Sequence, residues 1–183
     1  MEEENFLNLE NYTIVEKIGK GSFGKVFVVQ KKDSSIIFAA KVALEELNDE
    51  SRELKINLCR EVNLMSQLSH PSILKFIGFS PTDFSHKEKP VIFTEYAKNK
   101  SLDCVLNLER QGISPKSWNN TKKLINIYGI AAAMSYLHSN NIIHRDLKPQ
   151  NILEDDQFYP KIADFGLSKI THMNQYSITY QST

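Results

Sequence analysis

The densest chemistry in the sequence is the stretch His144-Arg145-Asp146-Leu147-Lys148-Pro149-Gln150-Asn151. It places an acid, two cations and an amide close together with little apolar content. A second acid follows in Asp164-Phe165-Gly166, behind the strand-like Lys161-Ile162-Ala163. Taken singly, each element is as readily a polar turn. Taken in this order, they supply the groups that phosphoryl transfer needs. One carboxylate accepts or orients the proton of an attacking hydroxyl, and a cation stabilises the moving phosphoryl charge. A carboxylate and an amide oxygen hold the magnesium ions that bridge the phosphates.

Two features upstream suit the same chemistry. The turn Gly19-Lys20-Gly21-Ser22-Phe23-Gly24 has Gly-x-Gly-x-x-Gly spacing. In dinucleotide-binding folds the third glycine of that pattern opens a helix. Here Val26-Phe27-Val28-Val29 follows, and a β-branched run disfavours a helix. A strand–turn–strand glycine loop suits a flap whose backbone N–H groups fold over phosphates, although glycine serves a plain hairpin turn equally well. Lys41 stands among Phe38, Ala39, Ala40 and Val42, an apolar setting for a cation. It is either an edge-strand charge or the partner of a buried acid.

These side chains need elements to hold them. Tyr12 to Val15, Val26 to Val29 and Ile36 to Val42 read as three strands, the first two forming a hairpin around the glycine turn. Residues 48–69 are helical by period, with Leu54, Leu58, Val62, Met65 and Leu68 on one apolar stripe. Glu61 lies along that stripe, which predicts a partly buried carboxylate. Removing one partner of a buried ion pair costs about 3–5 kcal/mol. The stripe therefore asks for a cation facing Glu61, and Lys41 meets that need. Ile73 to Phe79 and Val91 to Thr94 read as two more strands, joined by a polar loop from Ser80 to Lys89. Leu102 to Leu108 and Thr121 to His138 read as helices, the second with Leu124, Ile127, Ala131, Met134 and Leu137 on a face. The change from strand-rich to helix-rich near residues 95–101 marks a lobe boundary.

Composition removes several classes. The chain has 183 residues, with 22 Lys+Arg balanced by 22 Asp+Glu. That balance gives no reason to expect a nucleic-acid or membrane-surface binder. Cys59 and Cys104 are too few for a disulfide scaffold, and neither has a zinc-type neighbour. The acidic start Met1-Glu2-Glu3-Glu4 lacks the features of a signal peptide, and no apolar run approaches a membrane span. The expected location is cytoplasmic, in a reducing compartment. Residues 1–11 read as an acidic, solvated lead-in.

The motifs, in order from Gly19 to Gly166, resemble those of the protein kinase family: Gly-x-Gly-x-x-Gly-x-Val ending at Val26, a strand lysine at Lys41, a helix glutamate at Glu61, His-Arg-Asp with Asn151 five residues after Asp146, and Asp-Phe-Gly. The resemblance implies an α+β, two-lobe fold with a small lobe of five antiparallel strands plus one helix. It divides residues 12–183 into a small lobe (12–95), a hinge (96–101) and a larger helical lobe from residue 102. It implies ATP and magnesium as cofactors, a protein substrate and an upstream activating kinase as partners. Gly19, Gly21 and Gly24, with Lys20 and Ser22 between them, would cover the ATP phosphates. Lys41 would hold the α- and β-phosphates with Glu61 as its partner. Val26, Ala39 and Leu153 would sandwich the adenine, with Thr94 guarding the back of the pocket. Glu95 and Ala97 would offer hinge backbone groups, and Ser101 would lie near the ribose. Asp146 would be the catalytic base, Lys148 the γ-phosphate cation, and Asn151 and Asp164 the magnesium ligands. Met65, Phe76, His144 and Phe165 would form an apolar column between the lobes, which makes His144 structural.

Lys148-Pro149-Gln150 after Asp146 resembles the serine/threonine branch. The stretch from Glu61 through His70-Pro71-Ser72-Ile73-Leu74 to Phe93-Thr94-Glu95-Tyr96 resembles the tyrosine-kinase-like group within it. Arg145 implies a site for an activation-loop phosphate, with Thr171, Ser177, Thr179, Ser182 and Thr183 as candidate positions. The sequence departs from the family in having no Ala-Pro-Glu after Gly166. The expected larger lobe is therefore truncated, with an apolar face of Thr121 to His138 left uncovered. Beside the enzyme stands an alternative, a nucleotide- or partner-binding module without efficient transfer.

Overall fold

A computed structural model describes residues 5–20, 24–48 and 52–171. Strands β1 (Tyr12–Lys20), β2 (Gly24–Lys31), β3 (Ile37–Ala43), β4 (Phe76–Ser80) and β5 (Val91–Glu95) form one antiparallel sheet in the order β1-β2-β3-β5-β4. Helix α1 (Arg52–Gln67) comes between β3 and β4. After β5 come α2 (Leu102–Arg110), α3 (Asn120–Ser139) and the short strands β6 (Ile142–Ile143), β7 (Ile152–Glu154), β8 (Pro160–Ile162) and β9 (Lys169–Ile170). β6 pairs with β9 and β7 with β8. The fold is the α+β arrangement expected, with a five-stranded small lobe carrying one helix.

The β1–β2 hairpin closes around the glycine turn, Lys20 opposite Lys25. Gly24 must be glycine here: a Cβ on it would lie 2.6 Å from the Val42 carbonyl oxygen of β3. Both long helices after β5 begin on side-chain caps. The Ser101 hydroxyl accepts from Cys104 N–H at 3.4 Å, and Asn119 Oδ1 accepts from Lys122 N–H at 3.1 Å. Such caps satisfy amide groups that the helix itself cannot.

One apolar cluster joins the two parts of the chain. Val62 and Met65 from α1, Ile73, Phe79 and Ile92 meet Ala133 and Leu137 from α3 with Ile162 and Phe165. Leu58 and Leu68 pack against this cluster, as the α1 stripe predicts, and the Leu54 side chain lies outside the described residues. A second cluster fills the other face of the sheet, built on Val29, Ala40, Val91 and Phe93.

Three expectations need correction. The stretch 73–75 does not begin β4. Its backbone turns to β8 instead: Leu74 N–H donates to Ile162 O at 2.9 Å, and Ile162 N–H to Ser72 O at 2.8 Å. The face expected on α3 holds only toward its C-terminal end, where Leu137 is buried in the first cluster and Met134 packs against it. Leu124 and Ile127 are each 67% exposed and Ala131 is exposed, while Asn126, Gly129, Ala133 and Leu137 are buried. Close approach decides this: a Cβ on Gly129 would come 2.8 Å from both Pro160 Cγ and Ser72 Oγ. Only small residues let α3 sit that near Ser72 and Pro160, and Leu124 and Ile127 in its N-terminal half face out. The lead-in, finally, is not wholly solvated. Leu7 N–H donates to Phe79 O at 2.8 Å, and Leu7 and Leu9 pack on the second cluster. No helix among the described residues is long and apolar enough to cross a membrane.

Candidate active site

A cleft of about 710 Å3 lies between the sheet and the segments that follow β5. Its roof comes from β1–β3 and its floor from residues 150–164. Gly19, Gly24, Val26, Ala39, Lys41, Glu61, Thr94, Glu95, Ala97, Ser101, Asn151, Leu153 and Asp164 all line it, so most of the expected site residues meet at one place. Lys20, Asp146 and Lys148 do not line it, and Gly21 and Ser22 lie outside the described residues.

At the roof, Lys41 Nζ lies 3.3 Å from Glu61 Oε1. The lysine side chain is 31% exposed and the glutamate 15%. This is the partner that the α1 stripe demands. Gly166 sits close by: a Cβ there would be 3.8 Å from Glu61 Oε2.

Beside the floor, and joined to it through Asn151, the polar cluster folds on itself. Lys148 Nζ donates to Asp146 Oδ1 at 3.0 Å and Oδ2 at 2.8 Å. Asn151 Nδ2 donates to the Asp146 carbonyl at 2.9 Å and to its Oδ2 at 2.8 Å. The Lys148 ammonium, helped by the Asn151 amide, holds the Asp146 carboxyl below the usual carboxylate range. Asp146 is thus an ionised acceptor at neutral pH. Since the Asn151 nitrogen is committed to Asp146, its Oδ1 is the end left to serve a cation.

His144 is fully buried and holds this loop in place. Its Nδ1 accepts from Asp146 N–H at 3.3 Å, so its Nε2 carries the proton and donates to Ala163 O at 3.0 Å. Burial lowers its pKa, which keeps the ring neutral. The ring meets Phe165 edge-on at 5.1 Å. Phe165 and Met65 are buried in the shared core, with Phe76 packed against it. Arg145 and Asp164 adopt left-handed backbone angles, φ 67° and 65°. Non-glycine residues hold such angles at a cost, and they concentrate at functional sites. Arg145 Nε donates to the Leu167 carbonyl.

Residues 12–183 match the protein kinase domain family. The chain belongs to the protein kinase family. Its relatives include an Aurora kinase of Debaryomyces hansenii, 37% identical over 163 residues, which are 88% of this chain and 37% of the relative. An Aurora kinase of Saccharomyces cerevisiae is 34% identical over 164 residues, 90% of this chain and 42% of the relative. The cysteine-rich receptor-like protein kinase 6 of Arabidopsis thaliana is 36% identical over 162 residues, 87% of this chain and 22% of the relative. The chain thus spans less than half the length of these kinases.

Several cleft residues of this kinase chain escape sequence reasoning: Ile18, Leu74, Ile92, Cys104 and Gln150. Ile18 was legible in principle, because carrying the β1 strand up to the glycine turn places it at the roof. Glu95 lines the cleft at the end of β5. Its N–H donates to Lys75 O at 2.9 Å, so any backbone contact it offers a ligand is through its carbonyl. Its carboxylate accepts from Lys75 N–H at 2.8 Å and pairs with Lys161 Nζ at 3.2 Å. Of the candidate phosphorylation positions, Thr171 donates its hydroxyl to Asn141 O at 3.1 Å. Ser177, Thr179, Ser182 and Thr183 lie outside the described residues.

Proposed function

We propose that this chain carries the nucleotide site and catalytic loop of a serine/threonine protein kinase, which transfers the γ-phosphoryl of Mg-ATP to a protein hydroxyl. The observation that supports it most is the contents of one cleft. The Lys41–Glu61 pair stands at its roof, and Asn151 and Asp164 at its floor, with Asp146 hydrogen-bonded to Asn151. The serine/threonine assignment rests on Lys148, two residues after Asp146.

Gly19, Gly24 and their neighbours offer backbone N–H groups to phosphates, and Lys41 adds an ammonium oriented by Glu61. Val26, Ala39 and Leu153 give the adenine apolar faces. Asp146, kept ionised by Lys148, orients the substrate hydroxyl and takes its proton as the oxygen bonds to the γ-phosphorus. The bond from that phosphorus to the β–γ bridging oxygen breaks, and ADP leaves with the electron pair. Lys148 balances charge on the transferred group. The donor set suits magnesium: Asn151 Oδ1 and the Asp164 carboxylate are hard oxygen ligands, and magnesium is commonly held by one or two protein groups plus substrate phosphates. No cluster of three or more His, Cys, Asp or Glu that could hold a metal alone occurs among the described residues. Magnesium, when bound, neutralises phosphate charge.

The test is a thermal melt with and without Mg-ATP, followed by transfer to a mixed serine/threonine peptide substrate. A ligand that binds only the folded state raises the midpoint. An unmoved midpoint and no transfer would defeat the proposal. One observation favours the second reading, a binding module without efficient transfer: Leu124, Ile127 and Tyr128 leave an exposed apolar stripe on α3. A raised midpoint without transfer would select it.

A further inference from the structure

The chain buries a second carboxylate that phosphoryl transfer does not use. Glu154 follows Leu153 on the cleft floor, and it is 0% exposed. Its backbone holds the stretch between β5 and α2: Glu154 N–H donates to Lys100 O at 2.8 Å, and Asn99 N–H donates to Glu154 O at 3.0 Å. Its side chain meets Asn126 of α3, whose Nδ2 donates to Glu154 Oε2 at 3.3 Å. The same Nδ2 reaches Lys122 O at 3.1 Å and Phe158 O at 3.1 Å. Three acceptors around that nitrogen fix the amide, because flipping it would set Asn126 Oδ1 against three oxygens.

Two buried atoms are then left without partners, Asn126 Oδ1 and Glu154 Oε1. Both are acceptors when Glu154 is ionised, and a buried polar atom without a partner is costly. A single proton on Oε1 removes both defects. A carboxylic acid and a primary amide are complementary, N–H to one oxygen and O–H to the amide oxygen. We propose that Glu154 is a positioning residue for the nucleotide cleft, carried as a neutral acid whose O–H donates to Asn126 Oδ1. It ties the cleft floor and the hinge stretch to α3, and losing its proton loosens that tie. The positioning role rests on the kinase reading above, whereas the protonation does not.

The charged groups on the elements packed around Glu154 do not supply it with a counter-ion. Lys161 of β8 is paired with Glu95, Lys123 of α3 with Glu109, and Lys122 lies over the Tyr159 ring. Asp103 of α2 accepts from Asn107, and Lys100 of the hinge stretch is exposed. Asp155, next in the chain, adds repulsion. Burial pushes the Glu154 carboxyl up to about 7, the Asn126 hydrogen bond opposing and Asp155 reinforcing. An unfolded glutamate ionises near about 4.3. Between those values the folded state holds more protons than the unfolded state, so stability falls as pH rises and levels off above about 7.

The experiment is the melting midpoint of the 183-residue chain at about pH 5 to about pH 8, beside Glu154→Gln, with Mg-ADP affinity measured at both ends. Glutamine presents the same donor and acceptor at every pH. The expected result is a wild-type midpoint that drops roughly 5–10 °C more over this range than that of the variant. Mg-ADP affinity weakens with pH in the wild type only. A Gln variant with the wild-type slope overturns the proposal. If that variant does not fold, Asn126→Val combined with Glu154→Leu removes both unpartnered atoms together. A flat slope there supports the proposal, and a wild-type slope overturns it. A wild type that binds no Mg-ADP at any pH defeats the nucleotide reading and the positioning role, while the melting slope still decides whether Glu154 holds the proton.

Discussion

The roof and the floor of the cleft place charge by different means. At the roof, Lys41 and Glu61 come from a strand and a helix, and they meet because α1 lays its apolar stripe on the shared core. At the floor, Asp146, Lys148 and Asn151 lie within six residues of one another and hold each other through local hydrogen bonds. The roof pair therefore depends on how a whole helix is seated. The floor is preorganised by its own loop, with His144 anchoring it from beneath. Disturbing the roof pair should act on nucleotide binding and stability together, whereas disturbing Asp146 should act on transfer alone.

Asp146→Asn tests the division most severely. It removes the proposed proton acceptor, and the transfer rate should fall by about 10²–10⁴. Nucleotide affinity should stay near the wild-type value, read by titration calorimetry. If affinity falls with the rate, floor and roof are not separable. Lys41→Met comes next. It strands the Glu61 carboxylate, and the pair lies between buried and exposed extremes, so the fold should lose about 1–3 kcal/mol. Mg-ATP should then raise the midpoint much less than in the wild type. An unchanged response would detach the pair from the nucleotide.

Gly24→Ala sharpens the roof further. The added methyl meets the Val42 carbonyl, and the overpacking should cost about 1–3 kcal/mol with weaker nucleotide binding, measured by denaturant titration. The smallest effect belongs to Ile127→Ser on the outer face of α3. Stability should stay within about 0.5 kcal/mol of wild type, and self-association by light scattering should decrease. A large loss of stability would mean that this face is covered.

Much of this was legible in the sequence. The strands and the stripe of α1 follow from period and β-branching, and the stripe alone called for a cation at Glu61. The resemblance to the kinase family named most of the residues that line the cleft. The misses have physical causes. On α3 the expected face holds at Met134 and Leu137 and fails toward the N-terminus, because a close approach at Gly129 selects small residues for the inner face there. Leu124 and Ile127, which begin the visible pattern, are exposed. Leu7 and Leu9 were masked by the glutamates around them, since net charge says nothing about which side chains dock. Glu154 was hidden by its type: a carboxylate in a strand reads as solvent-facing. Yet strand alternation sets it on the same face as Ile152, which is buried. Trusting the period over the residue type would have found it.

The apolar cluster that takes Val62 and Met65 from one side of the cleft and Ala133, Leu137 and Phe165 from the other has a consequence for unfolding. Neither part can lose its packing without exposing the other's. Melting should therefore be a single cooperative event, with calorimetric and van't Hoff enthalpies in agreement. The stretch between β5 and α2 is therefore not a seam along which the molecule comes apart.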